Sequence, residues 1–330
     1  MVIAKNAFFG YNYGKQSEKR RDISGKSGLS HKRKNLFMLT KEEFRKRIEK
    51  GAILDGATGS WLRAHGMPRG VSTELWVLDH PDVLTELQRG YARAGADILY
   101  APTFQAQPIV LASYGREKDT EAINRSLVAL SRKAAPGCLI AGDLTTLAGS
   151  CDSFDPKCFD LLVENYRRQI RGIIDGGADL LVGETLMYPQ EAEAILTAAE
   201  LEGAGAAIYS FTMQSDGSLF SGAEAGPVLR DLEKAGACAV GFNCVPADNM
   251  TSGLVMKLLR FTKLPLICKP NAGMPVINAQ GLAEYDLDPE GFARVMAECH
   301  AAGATLLGGC CGTTPAHLAA LKKALSETGK

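Results

Sequence analysis

No apolar run in the sequence approaches the ~18 residues of a membrane-spanning helix, which excludes an α-helical membrane span within it. The opening residues lack the charged, apolar and small-residue succession of a secretory signal. Nine cysteines fall at irregular spacings and form no CxxC pair, so a secreted disulfide framework is not expected. A reduced, cytoplasmic setting is the expectation. Net charge is also missing: 37 basic residues face 37 acidic ones, so no overall basic field marks a nucleic-acid binder. What is there is core material. At 330 residues and 46% hydrophobic, the chain can bury a full interior, enough for one large α/β barrel or two ordinary domains.

The charge is unevenly placed. Residues 1–38 carry a basic excess and four glycines but no sustained apolar period, so a disordered tail outside the fold is expected there. From residue 39 onward, eight apolar runs alternate with helical patterns. They are 52–56, 98–104, 139–144, 180–185, 207–213, 239–244, 266–272 and 306–312, each near-continuously apolar like a strand buried on both faces. Between them, Leu84, Leu87 and Tyr91 make one helix stripe; Phe159, Leu162, Tyr166, Ile170 and Ile173 make another. Met250, Leu254, Leu258 and Phe261 make a third. Eight strand–helix units predict a single (β/α)8 TIM barrel over 39–330. An open doubly wound sheet is the alternative, and it usually has fewer strands and a glycine-rich first turn.

An internal repeat sharpens this. AGADILYAPT (94–103), GGADLLVGET (176–185), AGACAVGFNC (235–244) and AGATLLGGCC (302–311) align without gaps. Each is a glycine helix stop followed by a strand, and they are the second, fourth, sixth and eighth strands. Alternate strands of such a barrel contribute to common interior layers. The repeat therefore puts Glu184, Cys244, Cys310 and Cys311 at one height at the C-terminal mouth. Cys310 and Cys311 sit among glycines that let the backbone bend, where a strand gives way to a helix opened by Thr313, Thr314 and Pro315.

Three cysteines with no obvious fourth protein ligand describe a Zn²⁺ site with one open position, so Cys244, Cys310 and Cys311 are the expected metal ligands. Zinc can hold an incoming thiol as thiolate, the nucleophilic form that alkyl transfer to sulfur requires. Cys138, Cys238, Cys268 and Cys299 read as ordinary buried cysteines. Around the cysteines stand groups suited to an amino acid. Asp55 ends the first strand, and Gly56 and Ala57 open the turn GATGS, whose free N–H groups can hold a carboxylate. Glu184 ends the fourth strand and can accept from an ammonium; a helix-capping role is open for either acid. Asn243 ends a strand at the same mouth and joins the candidate substrate-binding set, while the roles of Asp143 and Asn271 stay open.

LDGATGS (54–60), GETLMYPQEAEA (183–194), GFNC (241–244), KPNAGMP (269–275) and GGCCGTTPAH (308–317) together make the chain resemble the homocysteine S-methyltransferase family from about residue 39 onward. The resemblance implies a zinc-dependent barrel that methylates the thiol of homocysteine to give methionine. It places the zinc on Cys244, Cys310 and Cys311, and the amino-acid clamp on Asp55 and Glu184. KPNAGMP followed by AEYDLDPEGFA is most similar to the homocysteine module of cobalamin-dependent members, whereas betaine-type members carry tyrosine where Thr185 stands. The implied donor is methylcobalamin or a separate methylcorrinoid protein, with S-methylmethionine, another sulfonium or betaine as the alternative. Ser60 replaces a common threonine, and GDLTTLAG (142–149) lacks the usual Gly-Pro. Two other classes compete. A non-catalytic zinc-thiolate subunit docking a corrinoid partner would not need Asp55 and Glu184. A barrel for flavin or a sugar phosphate would want a glycine-rich phosphate site where the cysteines are.

Overall fold

Eight parallel strands carry the fold: Ala52–Ile53, Ile98–Tyr100, Leu139–Thr145, Leu180–Leu186, Ala207–Phe211, Ala239–Pro246, Leu266–Asn271 and Leu306–Leu307. Each falls on one of the eight apolar runs, and the third, fourth and sixth extend one or two residues past theirs. Hydrogen bonding runs from the first strand to the eighth, then back in order to the second. A parallel bridge from Leu54 to Ile98 joins the two ends. The result is the expected (β/α)8 barrel. The computed structural model describes residues 38–147, 149–150, 156–279 and 283–328. The expected tail lies outside the described residues except Met38, which is buried.

The repeat's glycines behave as helix stops. Gly95, Gly177, Gly236 and Gly303 all have φ between 85° and 113°, where a Cβ would be strained. Each turns the chain from an outer helix into the next strand, which fixes where that strand's mouth end falls. Inside the barrel, Leu54, Ile98, Tyr100, Ala141, Val182, Ile208, Ile267 and Leu306 pack together. Phe44 and Ile48, from the helix Lys41–Arg47 and its end, close the floor of that cluster. The helix starts on a capping box in which Thr40 and Glu43 satisfy each other's backbone N–H.

Most of the expected helix stripes are buried: Leu84, Leu87 and Tyr91 in Pro81–Ala94, and Leu162, Tyr166, Ile170 and Ile173 in Pro156–Asp175. The third stripe is shorter than expected. The helix Thr251–Leu258 buries Leu254 and Leu258, but Met250 precedes its first turn and is exposed. Phe261 lies past its end, its ring pressed against Gly226, where even a Cβ would come within 2.5 Å.

One element was not expected. Pro275–Ile277 pairs antiparallel with Ala283–Tyr285 between the seventh strand and the helix Pro289–Ala301. The Tyr285 ring lies over Gly312, so this pair reaches across to the cysteine turn. Among the described residues no helix is long and apolar enough to cross a membrane. Cys158 is disulfide-bonded, while Cys138, Cys238, Cys244, Cys268, Cys299, Cys310 and Cys311 are free thiols.

Candidate metal and acceptor site

At the end of the eighth strand the chain turns sharply. Gly308 and Gly309 sit where a Cβ would meet Leu54, the Asp55 carbonyl and Thr313 at 2.4–2.8 Å. The turn is pinned by Gly309 N–H donating to the Asp55 carbonyl (3.0 Å) and Cys310 N–H donating to the Pro270 carbonyl (2.7 Å). Ala272 N–H donates to the Cys311 carbonyl (2.9 Å), and Gly312 N–H donates to Ser60 Oγ (3.1 Å). The serine that departs from the family pattern thus has a use here. Gly312 itself has φ +81°, the left-handed backbone that turns the chain away after the cysteines.

Cys244 reaches them by a different device. Strands four and six both slip register near their mouth ends, between Gly183 and Leu186 and between Asn243 and Pro246. At the slips stand Thr185 (φ 57°) and Cys244 (φ 58°), the two non-glycine residues with left-handed backbone among the described residues. They occupy the same position in the sequence repeat. Such backbone costs an L-residue roughly 1–2 kcal/mol, and a bulge of this kind re-aims a side chain. Asn243 ties the two slips together. Its Oδ1 accepts from Thr185 N–H (2.9 Å) and Ser210 Oγ (2.9 Å), and its Nδ2 donates to Thr185 Oγ1 (2.6 Å) and Cys310 Sγ (3.8 Å). The residue is fully buried, and its amide is engaged by the protein itself.

The sulfurs of Cys244, Cys310 and Cys311 lie within 4.8 Å of one another, and among the described residues no further His, Cys, Asp or Glu joins them. Zinc–thiolate bonds of ~2.3 Å in a tetrahedron separate sulfurs by ~3.8 Å, a contraction within reach of small side-chain rotations. The donor set and its open fourth position fit zinc. Without a metal, the three thiols share hydrogen bonds. Those from Cys244 and Cys310 push the Cys311 thiol down to about 3, with Tyr285 adding a further donor. The same bonds to Cys310 and Cys311, together with burial, drive Cys244 upward.

Beside the cysteines lies a buried ionic cluster. Asp55 follows the first strand, Asp143 and Glu184 lie two residues from the ends of the third and fourth, and all three are buried. Between them stands Lys269 of the seventh strand, which sequence reasoning left without a role. Its Nζ is 3.0 Å from Glu184 Oε1 and 3.4 Å from Asp55 Oδ1, and it sits 4.6 Å from the centre of the Tyr100 ring. Tyr100 N–H donates to Asp55 Oδ2 (2.8 Å). Burial raises Asp55 to about 7 against the opposing pull of Lys269. Burial likewise raises Glu184, and it lifts Asp143 well above the carboxylate range with help from the Glu184 charge. Burial would lower Lys269, yet Glu184 and Asp55 hold its ammonium well above the ordinary value.

The turn after Asp55 departs from expectation at one point. Ala57 N–H is not free; it donates to Thr313 Oγ1 (3.1 Å), because the cysteine turn packs directly on this loop. Tyr91 Oη donates to the Ala57 carbonyl (2.7 Å), and at Gly56 a Cβ would meet that hydroxyl at 2.7 Å. The loop is therefore held rigidly at the mouth, with Gly56 needed for the close approach. Lys269 could have been suspected from one signal, a lysine inside the apolar run LICKPNA.

A family model described as homocysteine S-methyltransferase matches residues 52–325. Methionine synthase of Mycobacterium tuberculosis is 29% identical over 297 residues, covering 83% of this chain and 24% of that protein. The chain thus spans about a quarter of the length of the curated relatives it matches. The homocysteine methyltransferase MmuM of Escherichia coli, in a metallated crystal form, is 29% identical with a TM-score of 0.72, covering 85% of this chain and 99% of that one. Its oxidised form gives 30% identity and a TM-score of 0.71, with 83% and 96% covered. Shared over the whole barrel and through the cysteine turn, these similarities make the chain a member of the homocysteine S-methyltransferase family.

Proposed function

We propose that the chain moves a methyl group onto the thiol of homocysteine to give methionine, using a zinc ion held by Cys244, Cys310 and Cys311. The observation that carries this reading is the cysteine triangle standing beside buried Asp55 and Glu184 at one barrel mouth. A zinc ion bound there would supply the Lewis acidity that keeps an acceptor thiol deprotonated near neutral pH. The chain's own groups supply the rest. Asp55 and Glu184 offer acceptor oxygens to an amino-acid ammonium in a site sealed from bulk water, where charged hydrogen bonds gain strength. The rigid loop at Gly56 and Ala57 bounds the other side. Asn243 holds the strand ends that aim Cys244 and Glu184 at one point.

A methylcorrinoid donor, methylcobalamin or a separate corrinoid protein, is the reading favoured for the methyl source. It is supported by the likeness to methionine synthase and by KPNAGMP with AEYDLDPEGFA. A sulfonium donor such as S-methylmethionine is the second reading, supported by the near-complete coverage of a free-standing homocysteine methyltransferase barrel. The decisive test is methionine formation from homocysteine by the zinc-loaded protein. Methylcobalamin, S-methylmethionine, betaine and methylfolate are offered separately. Turnover with methylcobalamin alone supports the first reading; turnover with S-methylmethionine alone replaces it. No methionine from any donor would refute the activity, and metal analysis on the same sample tests the zinc.

A further inference from the structure

Lys269 raises a question that the acceptor reading leaves open. The two acids assigned to the substrate ammonium already hold an ammonium belonging to the chain. Its Nζ faces Glu184 Oε1 at 3.0 Å, Asp55 Oδ1 at 3.4 Å and the Tyr100 ring at 4.6 Å. With its donors turned to two carboxylates and an aromatic face, Lys269 is not aimed at a substrate carboxylate. Nor does it use up the pocket. Asp55 Oδ1 meets Lys269 only as a 3.4 Å ion pair, and Asp143 Oδ1 is buried without a hydrogen-bond partner, so acceptor capacity remains. Lys269 is also the cation common to all three carboxyls. The other titratable groups coupled to this cluster include Tyr91, Tyr100, Cys310, Cys311 and Cys138.

The charges can be counted. Three carboxyls with one internal ammonium leave room for one more cation if Asp143 keeps its proton. Asp55 and Glu184 are then ionised, and Lys269 and the incoming ammonium balance them. Without Lys269, two carboxylates would share one sealed site with a single cation, and one of them would take up a proton. We propose that Lys269 is a positioning residue for the acceptor: it grips one oxygen each of Asp55 and Glu184, opposes their protonation, and so makes the pocket select a thiol bearing a single ammonium. This rests on the acceptor reading above and adds the internal counter-ion on which the clamp depends.

The test compares L-homocysteine with 4-mercaptobutyrate, which keeps the thiol and carboxylate and lacks the ammonium. Binding of each to the zinc-loaded parent and to Lys269→Met is measured by calorimetry. In Lys269→Met the homocysteine dissociation constant rises roughly tenfold to a hundredfold, the worth of a charge-assisted hydrogen bond. The 4-mercaptobutyrate constant stays within about twofold, because that thiol does not use the clamp. If the methionine variant proves unstable, Lys269→Ala is assayed with added ethylammonium, which restores homocysteine binding while an equal concentration of sodium does not. Tighter homocysteine binding in Lys269→Met would show that the lysine competes for the clamp and overturn the proposal. Equal losses for both thiols, or no rescue by ethylammonium, would reduce Lys269 to a structural role and overturn it too. A parent that makes no methionine fails the acceptor reading; a parent that does, with an unchanged preference in Lys269→Met, fails this one alone.

Discussion

Replacing Asn243 separates the two tasks its amide performs. Asn243→Ala removes the acceptor of Thr185 N–H and Ser210 Oγ, both at 2.9 Å. Each buried donor left unpaired costs about 1–3 kcal/mol, so the alanine variant should lose about 2–6 kcal/mol of stability. It also removes the N–H that faces Cys310 Sγ at 3.8 Å. Losing a partner just outside the metal ligands typically lowers metal affinity by about 10–100-fold. Asn243→Asp has the same shape and keeps the oxygen that Thr185 and Ser210 use. It replaces the Nδ2 donor with an anionic oxygen facing Cys310. Like charges ~4 Å apart repel by roughly 4 kcal/mol at an effective dielectric near 20, before any offset from a bound cation. The aspartate variant should therefore unfold closer to the parent than the alanine variant does, yet hold zinc at least as poorly. Denaturant midpoints on metal-free protein and zinc competition against a chromogenic chelator measure the two effects. If Asn243→Asp binds zinc as tightly as the parent, the role given to the Nδ2–Sγ contact is refuted.

Cys244→Ser should abolish stoichiometric zinc binding, because the remaining Cys310 and Cys311 cannot by themselves close a tetrahedral thiolate site; metal analysis of the purified variant checks this. Glu184→Gln should raise the homocysteine constant by about 10–150-fold, from the 1.5–3 kcal/mol of a charged hydrogen bond, and steady-state kinetics would show it. Asp55 gives a pH signature. Its folded value of about 7 lies above its unfolded 3.8, so its contribution favours folding below the unfolded value and is lost as pH rises through 7. The difference amounts to about 4 kcal/mol. Asp55→Asn should flatten the fall in stability between pH 4 and 7.5, and a midpoint series that falls equally in both proteins would contradict the burial of this acid. Gly312→Ala should cost at least about 1–2 kcal/mol from its left-handed backbone. It should also displace Tyr285, whose ring would lie 2.3 Å from the new methyl, and thermal melts with zinc titration would report both.

The barrel and its cysteine cluster were legible because they are written locally and periodically. Eight buried runs, the glycine stops at Gly95, Gly177, Gly236 and Gly303, and the cysteine turn each depend on residues near in sequence. The repeat carried Cys244 to Cys310 and Cys311 because alternate barrel strands share layers, a rule that converts sequence register into height. What stayed hidden depends on contacts between strands far apart in the chain. Lys269 had no readable role, since a lone lysine is ordinarily solvated and only the approach of Asp55 and Glu184 across the barrel keeps its charge inside. Ala57 looked free until the cysteine turn, 256 residues later, laid Thr313 against it. Asn243 read as a possible substrate contact, but its amide is taken up by Thr185, Ser210 and Cys310. Sequence thus determined which residues gather at the mouth. The tertiary structure decided which of their polar atoms are already engaged, because hydrogen bonds and ion pairs form between neighbours in space, whatever their separation along the chain.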